Sequence, residues 1–275
     1  MFDGRGNMHT GAPWHQQGDA PQARRVQIPG MTRGRWGLMA LAAALLPACT
    51  SAAGAQTADS IIALSLAARG GLARLEAVRT ERLIGRVALA NGLAGTDTVE
   101  LERPLHVRTT LHLGPRTIIQ ASDGRTTWGV NPLAGDSVPT VMAPDAARNV
   151  EAGADYDGPL MDYEAKGNRV TYAGVDTADG RPAFALDVVT PAGLHDRYYI
   201  DARTHLQTKW EGRRVVNGDT LVFESFFRDY RRASGVEIAF RIDSDTRGRP
   251  GGQHIVLERA DVNVPISAAR FRFPR

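Results

Sequence analysis

From Val99 to Leu113 the odd positions read Val, Leu, Arg, Leu, Val, Thr, Leu, Leu, and the even ones Glu, Glu, Pro, His, Arg, Thr, His. A period of two with one apolar and one polar phase is the pattern of an antiparallel strand with one face on a core and one in water. Fifteen residues of strand would reach about 50 Å at ~3.4 Å per residue, so the segment must bend strongly or break. Pro104 has no N–H to give the ladder and marks an edge position or bulge. The pattern returns where Phe184, Leu186 and Val188 alternate with Ala185 and Asp187, and where Val236, Ile238, Phe240 and Ile242 alternate with Glu237, Ala239, Arg241 and Asp243. Asn217-Gly218 suits a tight primed hairpin turn. A second hairpin turns around Asp201 and Ala202, and Asn91-Gly92 marks a third turn.

Helix is scarce. Ile61, Ile62, Leu64, Leu66, Leu72 and Leu75 give a helical stripe over residues 58–78, with Thr57 or Asp59 to cap its start. Gly70-Gly71 interrupts that stripe, so two short helices or one sharp break are expected. Ala143–Ala154 is an alanine-rich helical island, and Pro159–Glu164 reads as a further helix start with proline in its first turn. About ten strands then share roughly 35 helical residues as cover for one strongly apolar face. Either the sheet curls on itself or it leaves an apolar concavity for a ligand.

The N-terminal region belongs to no part of that fold. Arg33 and Arg35 precede the uncharged apolar run 37–46, and Ala53-Gly54-Ala55 follows, which together make a secretory signal. The run is too short to span a bilayer, which takes roughly 20 residues. Residues 1–30 are Gly-, Gln- and Pro-rich without periodicity, so translation is expected to start at Met31. Residues 1–55 are read as an N-terminal extension plus signal, and 56–275 as one domain. Leu46-Pro47-Ala48-Cys49 resembles a bacterial lipoprotein signal, with proline departing from the pattern at −2. Two exported forms therefore stay open, a soluble periplasmic one beginning near Gln56 and one anchored to the outer membrane through a lipidated Cys49.

Charge and composition narrow the function. The first 55 residues hold five arginines and two aspartates, which leaves 28 basic and 28 acidic side chains in the domain. A balanced chain lacks the basic excess of a nucleic-acid binder, and no nucleic-acid partner is expected. Without cysteine beyond Cys49 there is no disulfide framework. No G-x-S-x-G, H-E-x-x-H, Walker or G-x-G-x-x-G pattern occurs in a catalytic context. His106 and His112 share one strand face about 20 Å apart, too far to share a metal. Asp155, Asp157 and Asp162 read as turn and capping residues. No catalytic residue, metal or cofactor is assigned, although a dispersed hydrolytic triad would assemble only in space.

The order of segments carries a resemblance. A leading "ADSIIALSLAARGGLARLEAVRT" is followed by strands and "DGRTTWGVNPLAG", then by "GPLMDYEAKGNRVTYAGVDTADGRPAFALDVVTPAGLHDRYYIDARTHL" and a closing "DYRRASGVEIAFRI". This series resembles the outer-membrane lipoprotein-sorting protein family, the LolA/LolB-like group, over residues 58–273. The resemblance implies a mainly β chain, an incurved, half-open antiparallel β-barrel under short lid helices. It further implies a carrier or acceptor for the acyl chains of lipoproteins or lipids, working with an inner- or outer-membrane transport partner and without catalysis. The side chains expected to face the cavity are Val107, Leu111, Trp128, Phe184, Leu186, Tyr198, Trp210, Phe223 and Phe240. The rival expectations are an envelope sensor or adaptor that binds a partner protein through the same fold, and an envelope hydrolase.

Overall fold

The computed structural model describes residues 56–216, 219–248 and 251–274. Met31, the signal region and Cys49 lie outside them, as do Asn217 and Gly218. Thirteen strands form one antiparallel sheet. The first six are β1 (Thr80–Leu89), β2 (Ala94–Glu102), β3 (His106–Leu113), β4 (Arg116–Asp123), β5 (Thr127–Asn131) and β6 (Asp136–Val141). The other seven are β7 (Arg169–Ala178), β8 (Arg181–Val189), β9 (His195–Asp201), β10 (Gln207–Val216), β11 (Asp219–Ala233), β12 (Val236–Thr246) and β13 (Gly252–Val262). Two meanders, β1–β6 and β7–β13, join where β1 pairs with β13, leaving β6 and β7 as free edges. The sheet stays open, as the half-barrel expectation requires.

The long alternating segment breaks rather than bends. Leu101 pairs with Val107 across a turn at 103–105, so Pro104 sits in a hairpin turn, not at the edge or bulge expected of it. The alternation itself holds on both sides of the break. The Asp201 turn is built as the sequence suggests: its Oδ1 accepts from the N–H groups of Arg203 and Thr204 at 3.0 and 2.7 Å, and its Oδ2 from Arg181. Burial would raise the Asp201 carboxyl, but these donors hold it down to about 2.

Helices α1 (Ala58–Ala68) and α2 (Leu72–Ala77) are separated at the glycine pair. Thr57 and Ser60 close a reciprocal cap on α1, each side chain bonding the other's backbone N–H. Gly70, at φ 129°, lets the end of α1 dock on the β11–β12 hairpin, where an added Cβ would lie 2.4 Å from the Gly235 carbonyl oxygen. The Glu237 N–H donates to the Arg69 carbonyl at 2.9 Å and fixes that contact. Ile61 and Ile62 of α1 bury against Phe184, Leu186 and Ile200 of β8 and β9. Leu75 of α2 packs with Val236 of β12 and with Met161.

Helix α3 (Pro144–Ala154) lies over β3–β5, tied down where Thr127 Oγ1 donates to Glu151 Oε1 at 2.7 Å. The expected helix at Pro159–Glu164 does not form. Gly158 at φ 66° and Asp162 at φ 52° adopt left-handed backbone, which breaks a right-handed helix. A run of turns over 156–167 replaces it, with Leu160, Met161 and Tyr163 inserted between the helices and the sheet. Lys166 Nζ pins the run by donating to Asp155 Oδ2 at 2.6 Å and to the Gly158 carbonyl at 2.8 Å. Arg103 grips Asp157 with both terminal nitrogens. These aspartates thus serve as ion-pair anchors of a turn segment.

The opposite sheet face carries the C-terminal segment. Glu100, 2% exposed, is held between Arg82 and Arg270. The Trp128 indole N–H donates to the Phe271 carbonyl at 2.9 Å, and its ring meets Phe273 edge-on at 6.1 Å. Trp128 therefore lies away from the helices, on the opposite face, where it lines a separate space of about 560 Å³ with Arg108, Ile119 and Phe273. Replacing it with alanine removes a fully buried ring and a hydrogen bond, so chemical denaturation is expected to show a loss of about 3–5 kcal/mol.

Candidate functional site

The side chains facing the helices follow from strand register. Leu101 stands opposite both Glu81 and Val107, and Val107 opposite Ser122, whose hydroxyl is hydrogen-bonded to the Thr127 hydroxyl beneath α3. Tyr198 and Trp210 face each other across β9 and β10, and Trp210 stands opposite Ser225 of β11. Because α1 and α2 cover β7–β9 and β12 while α3 covers β3–β5, the middle of this face is left without a helix directly on it.

Space opens there. A cleft of about 1150 Å³ lies between the 103–105 turn, the 190–194 turn and the end of α3; Leu105, Ala152, Pro159, Pro191, Leu194 and Tyr198 give it apolar walls. Arg79, Glu102, Lys166 and Asp196 line it as well. Two inner chambers of about 460 and 430 Å³, nearer strands β10–β12, adjoin it. Ala152 and Tyr198 line all three spaces, and Gln207 and Phe227 line both inner ones. The three spaces thus adjoin one another around Ala152 and Tyr198, at the last turn of α3.

The expected cavity residues divide. Tyr198, Trp210 and Phe223 line the chambers. Phe184 and Leu186 face the same side but are covered by α1, Leu186 completely. Val107 and Leu111 occupy the helix-facing phase of β3, outside the linings of the three spaces. Phe240 is buried with the Arg231 guanidinium 4.6 Å from its ring centre, away from those linings too. Phe227 and Tyr230, aromatic and in strand, line the chambers without standing out in sequence from their aromatic neighbours.

One chamber holds a buried acid. Glu81 lies in the same strand phase as Leu83 and Val87, is 6% exposed, and lines the 430 Å³ chamber together with Arg69, Tyr156 and Tyr230. Burial raises its carboxyl to about 7, against a weaker pull from the Arg69 guanidinium. Asp97, also in this phase, is raised by burial to about 6, with the Thr98 N–H opposing, and its Oδ1 has no hydrogen-bond partner. Glu81 is the polar residue the alternation could have flagged: an acid in the apolar phase of β1. Among the described residues no group of three or more His, Cys, Asp or Glu could hold a metal ion.

A buried acid with a raised pKa keeps its proton in the folded chain after the unfolded chain has released its own, so stability falls as pH rises between the two values. For Glu81 that window runs from 4.5 to about 7 and for Asp97 from 3.8 to about 6. Denaturation midpoints measured from pH 4 to 8 are expected to fall through this range. Glu81→Gln should remove part of the slope and the double variant with Asp97→Asn most of it.

No family model matches the sequence, and no curated protein does. Solved structures do. A LolA superfamily protein from Nitrosomonas europaea superposes with a TM-score of 0.56 at 13% identity, over 79% of this chain and 98% of that one. A DUF1329 family protein from Desulfovibrio piger gives 0.54 at 11%, over 78% and 97%. An outer membrane lipoprotein-sorting protein domain from Vibrio parahaemolyticus gives 0.52 at 12%, over 78% and 97%. At these identities the likeness establishes a LolA-like fold.

Proposed function

We propose that this protein binds the acyl chains of a lipid or lipoprotein in the chambers beneath α3 and carries or receives them in the periplasm. The carrying observation is the group of adjoining spaces, the 1150 Å³ cleft and the two chambers that share Ala152 and Tyr198 with it, walled by Tyr198, Trp210, Phe223, Phe227 and Ile242. Each inner chamber falls within the size range of small-molecule sites, roughly 300–1000 Å³. Burying each acyl methylene in such a space gains about 0.8 kcal/mol, so a long chain binds tightly with little polar recognition. Shape-tolerant apolar capture of this kind needs no catalytic constellation. A lipoprotein-sorting role for one fold neighbour agrees with this reading. Among the described residues no helix is long and apolar enough to cross a membrane.

Ala152 lines every part of the space and has no bulk of its own. Ala152→Trp is expected to plug the junction. Displacement of the fluorescent apolar probe N-phenyl-1-naphthylamine by palmitic acid should be strong in the wild type and at least tenfold weaker in the variant. Equal displacement by both proteins would place acyl binding elsewhere. The denatured mass of the protein from its own host then separates the two exported forms: a diacylated N-terminal Cys49 marks an acceptor, and a chain beginning near Gln56 a soluble carrier. Recovery of the protein in a stable complex with another protein, its chambers unable to bind the probe, would favour the adaptor reading.

A further inference from the structure

Three polar side chains line the 430 Å³ chamber with their bonding capacity unused. The Glu81 carboxyl, in a residue 6% exposed, makes no hydrogen bond or ion pair among the described residues. The Tyr156 hydroxyl is buried and has no partner. The Arg69 guanidinium, at the end of α1, likewise makes neither a hydrogen bond nor an ion pair among the described residues, and it does not come within 4.0 Å of Glu81. An unpaired buried polar group costs roughly 1–3 kcal/mol. The buried Glu81 carboxyl and Tyr156 hydroxyl are therefore a gap that something else fills, with the half-buried Arg69 guanidinium beside it.

The neighbouring charged groups and Tyr230 are already engaged, and Gln207 is the other lining side chain without a hydrogen bond among the described residues. Asp155 is held by Lys166, Asp157 by Arg103 and Glu237 by Arg232. The Tyr230 hydroxyl donates to the Gln207 carbonyl at 2.7 Å. Arg103 also sits 5.2 Å over the Tyr156 ring, fixing the phenol in place. The free set is a guanidinium, a phenol and a carboxyl that carries its proton below about pH 7. All three are hydrogen-bond donors, with little need of a proton from the ligand.

We propose that Arg69, Glu81 and Tyr156 form a seat for the carbonyl oxygens of an acyl ligand, bound head inward from β1 with its chain running toward Tyr198 and Phe227. A free fatty acid and a glyceryl ester share that chemistry. The seat rests on the acyl-binding reading above and adds a polar end to it. Protonated Glu81 donates to the ligand oxygen. Ionised, it loses that donor and repels a carboxylate, so binding weakens as pH rises through 7 and weakens more for the acid than for the ester.

The test uses the protein purified from the envelope and stripped of lipid, with displacement of N-phenyl-1-naphthylamine by four C16 probes: palmitic acid, monopalmitoylglycerol, hexadecane and hexadecylamine. At pH 6 the two carbonyl probes should bind about tenfold more tightly than hexadecane, the gain expected from one or two well-made hydrogen bonds. Glu81→Leu and, independently, Tyr156→Phe should lower binding of both carbonyl probes five- to tenfold and leave hexadecane unchanged. Glu81→Gln should retain binding and lose its pH dependence. Palmitic acid losing affinity from pH 6 to 8 more than monopalmitoylglycerol does would identify the acid as the source that feels Glu81 directly, and parallel loss the ester. Carbonyl probes bound no better than hexadecane, or variants without effect on them, would overturn the seat and leave the acyl cavity standing. Preference for hexadecylamine would overturn it in favour of an anionic Glu81 that pairs an amine. Failure of every probe to bind would overturn the cavity reading and the seat with it.

Discussion

The pairing of β1 with β13 is the contact on which the rest of the molecule depends. Each meander alone is a series of local hairpins, and only this long-range ladder, Glu81 opposite Val262 through Leu89 opposite Gln253, makes them one surface. It brings the buried phase of β1 onto the same sheet face as β12 and β11, with β13 between them. The chamber walls therefore combine residues from opposite ends of the chain. Loop closure over such separations slows folding more than it weakens the product. The C-terminal segment adds to the same closure from behind, where Arg270 reaches Glu100 and the Phe271 carbonyl takes the Trp128 indole proton.

Cover follows from that geometry. Among the described residues three α-helices and the turn segment 156–167 serve a sheet of thirteen strands, and they do not blanket it. Gly70 docks α1 on one hairpin, Thr127 fastens α3 over another part of the sheet, and the turns anchored by Lys166 and Arg103 fill some of what lies between. The remainder is open space lined by aromatic and aliphatic side chains. In an ordinary core such a void would be costly, because interiors pack as densely as organic crystals. Here the open spaces adjoin one another around Ala152 and Tyr198 rather than lying scattered through the core.

Much of this was legible in the sequence, and the failures have identifiable causes. The period-two phases located strands, the glycine pair located the break between α1 and α2, and Thr57 located its cap, because each of these is a local property. Trp128 lies on the face away from the helices, because alternation separates two faces without saying which one a distant C-terminal segment will cover. Phe184 and Leu186 belong to the helix-facing phase, yet the strand pattern carries no information on where α1 comes to rest. The helix expected at Pro159–Glu164 was defeated by positive φ at Gly158 and at Asp162, the latter a residue that tolerates left-handed backbone better than most. Glu81 was visible as an acid in an apolar phase, but its lack of a partner is a tertiary fact.

The central claim is that the open space beneath α3 is occupied by acyl chains in the envelope. A native mass spectrum of the protein taken from its own host's envelope tests it most directly. The account predicts a non-covalent adduct of lipid or lipidated-peptide mass that leaves on denaturation. A spectrum showing only the bare chain, under conditions that preserve known lipid complexes, would contradict it.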